Sequence, residues 1–227
     1  MKDRKGDTGM KVKWYGHAAF HILTAQGSRI VIDPYESGAF DNALSYGPIK
    51  ERADIVITSH DHGDHNYTKD IQGKYVLVNK AGFHEIKDVK IKAIPSFHDQ
   101  SEGKDRGRNL IAVISADHMT LVHLGDLGHL LDTSISKEIG EVDVLFLPVG
   151  GFFTIDAETA TEVMNAIKPV VTVPMHYKTD KCRFPIAPVE HFTRGKKNVR
   201  MLKNFEMSVN KESLPREPEI VVFEHAL

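Results

Sequence analysis

The sequence predicts a layered α/β fold, and three observations indicate this class. Short runs of β-branched and apolar residues end at turn residues along most of the chain. Residues 156–168 carry apolar side chains at helical spacing, so helical segments lie between the strands. With 41% apolar and 26% charged residues, the 227-residue chain can form a hydrophobic core, which excludes wholesale disorder, a collagen repeat and a coiled coil.

The chain is expected to form one domain over residues 10–227, because no linker or shift in composition divides it. Residues 1–9 are charged and contain two glycines, so we expect a flexible lead-in there. They lack the apolar stretch of a signal peptide, and no later window approaches membrane-spanning length.

The first predicted element is a β-meander. Its strands are expected at residues 11–15, 20–24 and 29–32, with a turn at 26–28 and a stop at Asp33-Pro34. Residues 34–49 have no clear periodicity and read as a loop. Such a loop either borders a functional site or simply connects two elements, and both interpretations stay open.

Later apolar runs predict further strands that we expect to be buried on both faces. The four most strongly β-branched are 55–58, 89–94, 119–124 and 170–173, and the others are 74–78, 110–114 and 142–149. The helix at 156–168 has Asp156 as its expected N-cap and stops at Pro169. Shorter helices are expected at 134–139 and 188–195, and a closing strand at 219–223.

Each of the four strongest strands is followed by residues of metal-ligand type. The strand at 55–58 runs into residues 59–65, which read Ser-His-Asp-His-Gly-Asp-His, and the other three precede His98, Asp126 and His176. Because sites in open α/β sheets form beyond the carboxyl ends of the strands, we expect these four ends to converge. A lone histidine is usually an ordinary hydrogen-bonded residue, but that reading does not account for the His-x-His-x-Asp-His block.

The ligand types predict two divalent metal ions. His60, His62 and His98 would hold one ion and leave an open coordination position, which is typical of a catalytic site. A second ion could be held by Asp64, His65 and His176, with Asp126 as a bridge and Gly63 helping the chain to turn. Zinc is the first expectation, and manganese, iron or nickel also suit these ligands.

These motifs resemble the metallo-β-lactamase superfamily over nearly the whole chain from Lys11 onward. Residues 14–20, Trp-Tyr-Gly-His-Ala-Ala-Phe, are similar to the branch that includes ascorbate-6-phosphate lactonase-like proteins and many uncharacterised metal-dependent hydrolases. The resemblance implies an αβ/βα four-layer sandwich with a dinuclear site along one edge. His98 lacks the Gly-His-Thr context of the thioesterase and glyoxalase branches, and Cys182 reads as a small buried residue, so their substrates and β-lactams are not expected.

The implied chemistry is hydrolysis by a hydroxide that bridges two metals, because two cations sharing a water lower its pKa toward ~7. Asp64 and Asp126 would act as catalytic residues through those ions. His17 either contacts substrate, donates a proton to the leaving group, or makes a structural hydrogen bond. Asp61 and Asp99 either orient ligand rings or face solvent.

The surroundings of the block are less distinctive. We expect structural roles for His123 and His129, which flank Asp126. Lys104, Arg106 and Arg108 either clamp an anionic substrate or form a solvated loop.

The leading hypothesis is a metal-dependent hydrolase of a small, anionic ester, lactone or phosphodiester. The alternatives are an RNA or DNA phosphodiesterase and a non-catalytic metal-binding scaffold. Twenty-nine basic and 31 acidic residues give a net charge of −2, which argues against nucleic acid and anionic membranes as partners. A single cysteine forms no internal disulfide, so we expect a cytoplasmic protein. The pattern indicates neither the particular substrate nor the oligomeric state.

Overall fold

The computed structural model describes residues 9–227, so the predicted lead-in lies, apart from Gly9, outside the described residues. Within this range, fourteen strands form two sheets. The first sheet has the order β13-β1-β2-β3-β4-β5. Its strands are β1 Met10–Gly16, β2 Ala19–Leu23, β3 Arg29–Ile32, β4 Ile55–Ile57, β5 Val76–Val78 and β13 Glu206–Val209.

The second sheet has eight strands in the order β12-β14-β11-β10-β9-β8-β7-β6. They are β6 Gly82–Ile86, β7 Val89–Phe97, β8 Arg108–Ala116, β9 Met119–His123, β10 Val144–Pro148, β11 Val171–Met175, β12 Val199–Met201 and β14 Glu219–Val222. From β6 to β9 the pairing is antiparallel, and from β9 to β12 it is parallel. Consequently β7, β9 and β11 point the same way, and their carboxyl ends share one edge.

The helices are α1 Ala39–Asn42, α2 Thr133–Ile139, α3 Ala157–Ile167 and α4 Glu190–Thr193. The Asp156 carboxylate accepts from the Thr159 backbone N–H at 2.9 Å, which confirms the predicted N-cap of α3. In α1, Phe40 and Asp41 have left-handed backbone angles, so this segment is a distorted single turn. No helix among residues 9–227 is long and apolar enough to cross a membrane.

The main core fills the space between the two sheets. Phe20 of the first sheet and Phe146 of the second lie there with ring centroids 4.3 Å apart, and both are fully buried. The opposite face of the first sheet packs against a second apolar cluster from the connecting segments, including Tyr35, Tyr46 and Ile49. The predicted layered α/β sandwich is therefore confirmed.

Several element predictions need correction. The meander is confirmed, but β6, β12 and β13 were not predicted, because β6 and β12 are largely exposed and β13 has only four residues. Burial on both faces is wrong for β5, the edge strand of the first sheet, in which Val76 is 48% exposed. It is also wrong for β7, whose Lys90 and Pro95 side chains are exposed.

Candidate active site

The predicted ligand residues lie together at one edge of the two sheets. The segment after β4 carries His60, His62, Asp64 and His65. His98 directly follows β7, His176 directly follows β11, and Asp126 lies three residues beyond β9. Because these strands end at one edge, residues more than a hundred positions apart reach the same place.

Asp126 occupies the centre of the cluster. Its Oδ2 atom lies 3.2 Å from His65 Nε2, 3.2 Å from His98 Nε2, 3.3 Å from His176 Nε2 and 3.9 Å from His60 Nε2. The Asp126 side chain is only 2% exposed. One carboxylate oxygen is thus shared by four imidazole rings from three segments of the chain.

The nitrogen and carboxylate oxygen atoms fall into groups that each lie within 4.8 Å of one another. One group is His60, His62 and His98, which matches the predicted first set. Another contains Asp64, His65 and His176 together with His17. A third joins Asp126 to His60 and His65, so Asp126 lies between the two sets.

His17 belongs to the second set by direct contact. Its Nε2 atom lies 3.0 Å from Asp64 Oδ2, and its ring packs 4.1 Å from the ring of His176. The side chain is fully buried. Burial, together with His176, lowers the pKa of His17 to about 4 despite the hydrogen bond with Asp64.

Asp33 is a site residue that the sequence analysis missed. Its carboxylate is fully buried at the end of β3, and it accepts from the Ser59 backbone N–H at 2.7 Å and from Ser59 Oγ at 2.6 Å. Its Oδ2 atom also lies 2.9 Å from His65 Nδ1. Asp33 could have been predicted in the same way as the other ligands. It follows strand β3, which pairs in parallel with β4, so the carboxyl ends of both strands lie at the same edge. In the sequence, the Asp33-Pro34 pair predicts only the end of the strand at residues 29–32.

These contacts set the tautomers of two ligand rings. Since a carboxylate only accepts, His65 Nδ1 carries a proton, so Nε2 is the nitrogen of His65 that faces Asp126 and would hold a cation. Ser59 Oγ gives its proton to Asp33, so it accepts from His60 Nδ1 at 2.9 Å. Asp33 therefore orients His65 directly and His60 through Ser59.

The charges in the cluster are strongly coupled. Burial alone raises a carboxyl pKa, but His176 and His65 hold the pKa of Asp126 well below its ordinary value. Burial, with a contribution from His65, lowers the pKa of His60 to about 3. The centre thus combines an ionised carboxylate with a neutral imidazole at His60.

The cluster fits a bound divalent cation. The buried atoms His60 Nε2, His65 Nε2, His176 Nε2 and Asp126 Oδ1 have no hydrogen-bond partner within residues 9–227. Buried polar atoms without partners cost free energy, and a cation among them would satisfy their lone pairs. Imidazole nitrogen and carboxylate oxygen are ligands that zinc, manganese, iron and nickel accept.

Two neighbouring carboxylates lie elsewhere. Asp61 is exposed and accepts from Asn66 Nδ2, and Asp99 accepts from four backbone N–H groups of residues 101–106. Neither carboxylate is hydrogen-bonded to a ligand ring. The Asp99 carboxylate instead stabilises the loop that follows it. Gly63 was expected to ease a turn, but open space surrounds it and its φ is not left-handed, so no turn there requires glycine.

The two flanking histidines, His123 and His129, make hydrogen bonds of the kind that structural roles require. His123 Nδ1 accepts from the Gly125 backbone N–H, so its Nε2–H donates to the Ala18 carbonyl at 2.9 Å. His129 Nε2 accepts from the Phe97 N–H, and its Nδ1 donates to the Leu130 carbonyl. Cys182 is 1% exposed and free, as a small buried residue should be.

Comparison with known proteins identifies the family. Residues 11–176 match the model of the Lactamase_B_3 family, described as a β-lactamase superfamily domain. The match covers most of the chain and every residue of the cluster. The chain belongs to the metallo-β-lactamase superfamily.

Two archaeal relatives within this superfamily are named UPF0173 metal-dependent hydrolases. The protein from Thermococcus onnurineus is 32% identical over 195 residues, which span 75% of this chain and 85% of the relative. The protein from Pyrococcus horikoshii is 33% identical over 199 residues, with the same coverage. A Thermotoga maritima crystal structure, described as a candidate Zn-dependent hydrolase of the metallo-β-lactamase superfamily, has a TM-score of 0.79 and 32% identity. The alignment covers 95% of this chain and 98% of the Thermotoga chain.

Proposed function

We propose that this metallo-β-lactamase superfamily protein is a hydrolase that holds two divalent cations and cleaves a small anionic ester, lactone or phosphodiester. The coarser part of this statement, a metal-dependent hydrolase, follows from the relatives bearing that name. The single observation that carries the two-cation part is the position of Asp126 Oδ2 within 3.9 Å of four imidazole nitrogens.

Each cation would have its own ligand set. His60, His62 and His98 would hold the first, and Asp64, His65 and His176 the second, with Asp126 shared between them. Zinc is the proposed metal, supported by the ligand chemistry and by the description of the Thermotoga structure. The exposed His62 marks the side from which substrate would enter.

Bound cations would supply an activated water nucleophile near neutral pH and polarise the substrate oxygen. The protein's own groups prepare for this. Asp33 fixes which nitrogen of His65 and His60 carries the proton, so that both lone pairs face the centre. Burial of Asp126 excludes water from its carboxylate, which strengthens its interaction with any cation there.

Metal analysis tests the proposal directly. Protein purified without chelators and loaded with zinc should contain two ions per chain, and a chelator should lower both its melting temperature and its hydrolysis of esters, lactones or phosphodiesters. Stabilisation is expected because a ligand bound only to the folded state adds roughly 4 kcal/mol at a thousand times its dissociation constant. One ion per chain would refute the dinuclear part. Two ions without hydrolysis of any of these substrates would instead support a scaffold role.

His17 is proposed to position Asp64 in the second ligand set. The His17→Ala variant should weaken binding of the second cation by roughly 10–100-fold, the usual effect of removing a residue that orients a ligand. Isothermal titration calorimetry of the metal-free protein with zinc measures the affinity of each site. His84→Ala is the matched control, since His84 lies on the edge strand β6 and belongs to none of the three ligand groups. Unchanged zinc affinity with reduced turnover would show that His17 acts on substrate instead.

A further inference from the structure

Two open cavities meet beside the ligand cluster, and their linings differ in chemistry. The first, of about 460 Å³, is bordered by His62, Asp64 and His98 and by the rings of Phe40, Phe153 and Phe184. The second, of about 600 Å³, is bordered by His60 and His62 and by the cations Lys80, Arg106 and Arg108. Both volumes are typical of small-molecule sites. Asp61, His62 and Arg106 border both cavities.

We call the rings of Phe40, Phe153 and Phe184 the aromatic wall. The Phe184 ring is central, with its centroid 5.4 Å from that of Phe40 and 5.5 Å from that of Phe153, in edge-on contacts. It also lies 5.8 Å from the ring of His17, which ties the wall to the ligand cluster. The three residues come from three separate connecting segments.

The aromatic wall leaves apolar ring surface exposed to solvent, and one of its residues has a strained backbone conformation. Phe40 is 53% exposed, although it adopts a left-handed φ of 54° that disfavours a bulky side chain. Such strained backbone conformations cluster at functional sites. One exposed ring and the two half-buried rings of Phe153 and Phe184, beside a cluster of candidate ligands, indicate an aromatic or apolar group that covers them when bound.

The cations of the second cavity have no acidic partner in the part of the chain described here. No carboxylate lies within 4.0 Å of Lys80, Arg106 or Arg108 among residues 9–227. Asp61 also borders this cavity and accepts from Asn66, which leaves an excess of positive charge. Arg106 Nη1 donates to the Phe153 carbonyl at 3.0 Å, and its guanidinium lies 5.3 Å from the Phe153 ring centroid. Arg106 thus joins the two cavities, whereas Lys104 borders neither of them.

We propose that the substrate carries an aromatic ring on one side of its scissile bond and a carboxylate or phosphate on the other. The ring would pack on the aromatic wall, and the anion would pair with Arg108 and Lys80 by charge-assisted hydrogen bonds. The scissile bond would then lie at His62, between the cavities. This inference rests on the proposed function, because it takes the ligand cluster as the reacting centre.

Simpler substrates leave part of the surface unused. A purely anionic molecule would leave the aromatic wall in water, and a purely apolar molecule would leave three cations without a partner. Only a molecule with both groups uses both linings. The expected preference is therefore for both groups in one compound.

Binding tests this preference independently of turnover. The zinc-loaded protein is titrated by calorimetry with 6-phenylhexanoate, hexanoate and 6-phenylhexan-1-ol. We expect 6-phenylhexanoate to bind at least tenfold more tightly than either of the others. In Phe184→Ala, 6-phenylhexanoate should bind no more tightly than hexanoate. In Arg108→Ala, it should bind no more tightly than 6-phenylhexan-1-ol. The matched controls Phe83→Ala and Arg216→Ala alter exposed residues away from the cavities and should preserve both advantages. Equal affinities for the three compounds, or an advantage over the alcohol that survives Arg108→Ala, would overturn the proposal.

Hydrolysis separates this proposal from the proposed function. Monobenzyl adipate, benzyl hexanoate and monoethyl adipate have similar leaving groups, so differences in kcat/KM report recognition. Selective binding without hydrolysis of any ester would contradict esterase activity but leave the two-part recognition in place. Hydrolysis of all three esters with equal kcat/KM would refute two-part recognition and leave the hydrolase proposal standing.

Discussion

Asp126→Ala is expected to abolish hydrolysis and binding of divalent cations together. Asp126 Oδ2 lies within 3.9 Å of imidazole nitrogens from both ligand sets, so its removal affects both cation positions at once. The loss of affinity should exceed the roughly 10–100-fold that follows removal of a residue behind a ligand. Elemental analysis after dialysis and a coupled activity assay measure the two effects.

Two control variants show whether the negative charge of Asp126 and its position in the cluster are both needed for cation binding. Asp126→Asn keeps the shape and one oxygen but loses the negative charge, so it should also fail to retain both ions. Asp61→Ala removes an exposed carboxylate from the same block and should keep two ions per chain. If Asp126→Ala bound two zinc ions with unchanged affinity, a shared carboxylate could not be the centre of the site.

Asp33→Ala is expected to weaken cation binding by roughly 10–100-fold and to destabilise the protein as well. Without Asp33, the Nδ1–H of His65 and the hydroxyl of Ser59 lose their buried acceptor. Leaving a buried polar group without a partner costs about 1–3 kcal/mol. The rings of His65 and His60 can then adopt the wrong tautomer or rotate. Zinc titration and urea unfolding of the metal-free protein measure the two consequences.

Asp143→Ala distinguishes the two effects. Asp143 is also a buried carboxylate, and it accepts from the Thr120 backbone N–H at 2.8 Å, but it precedes β10 at the end away from the cluster. Its loss should lower stability and leave zinc affinity unchanged. Zinc affinity that falls equally in both variants would mean that Asp33 acts only through the stability of the fold.

The site was predictable to the extent that its residues share a local pattern. Residues 60–65 are contiguous, and His98, Asp126 and His176 each follow an apolar strand, so one rule gathers them. Asp61 and Asp99 show the limit of that reasoning. Each is adjacent to a candidate ligand in sequence, but backbone direction turns its side chain toward other partners.

The aromatic wall could not be predicted from spacing. Phe40 lies more than a hundred residues before Phe153 and Phe184, and all three lie in segments without periodicity. Only the pairing of distant strands brings those segments together. The same holds for β12 and β13, whose pairing partners lie outside their own segments of the chain.

The cluster draws its ligand atoms from both sheets. His60 and His65 follow β4 of the first sheet, whereas His98 and His176 follow strands of the second. Cations held between them would act as a cross-link that clamps the two halves of the sandwich at one rim. Opening that rim then requires release of the ions, so the lifetime of the folded chain against proteases should depend on the supply of divalent metal.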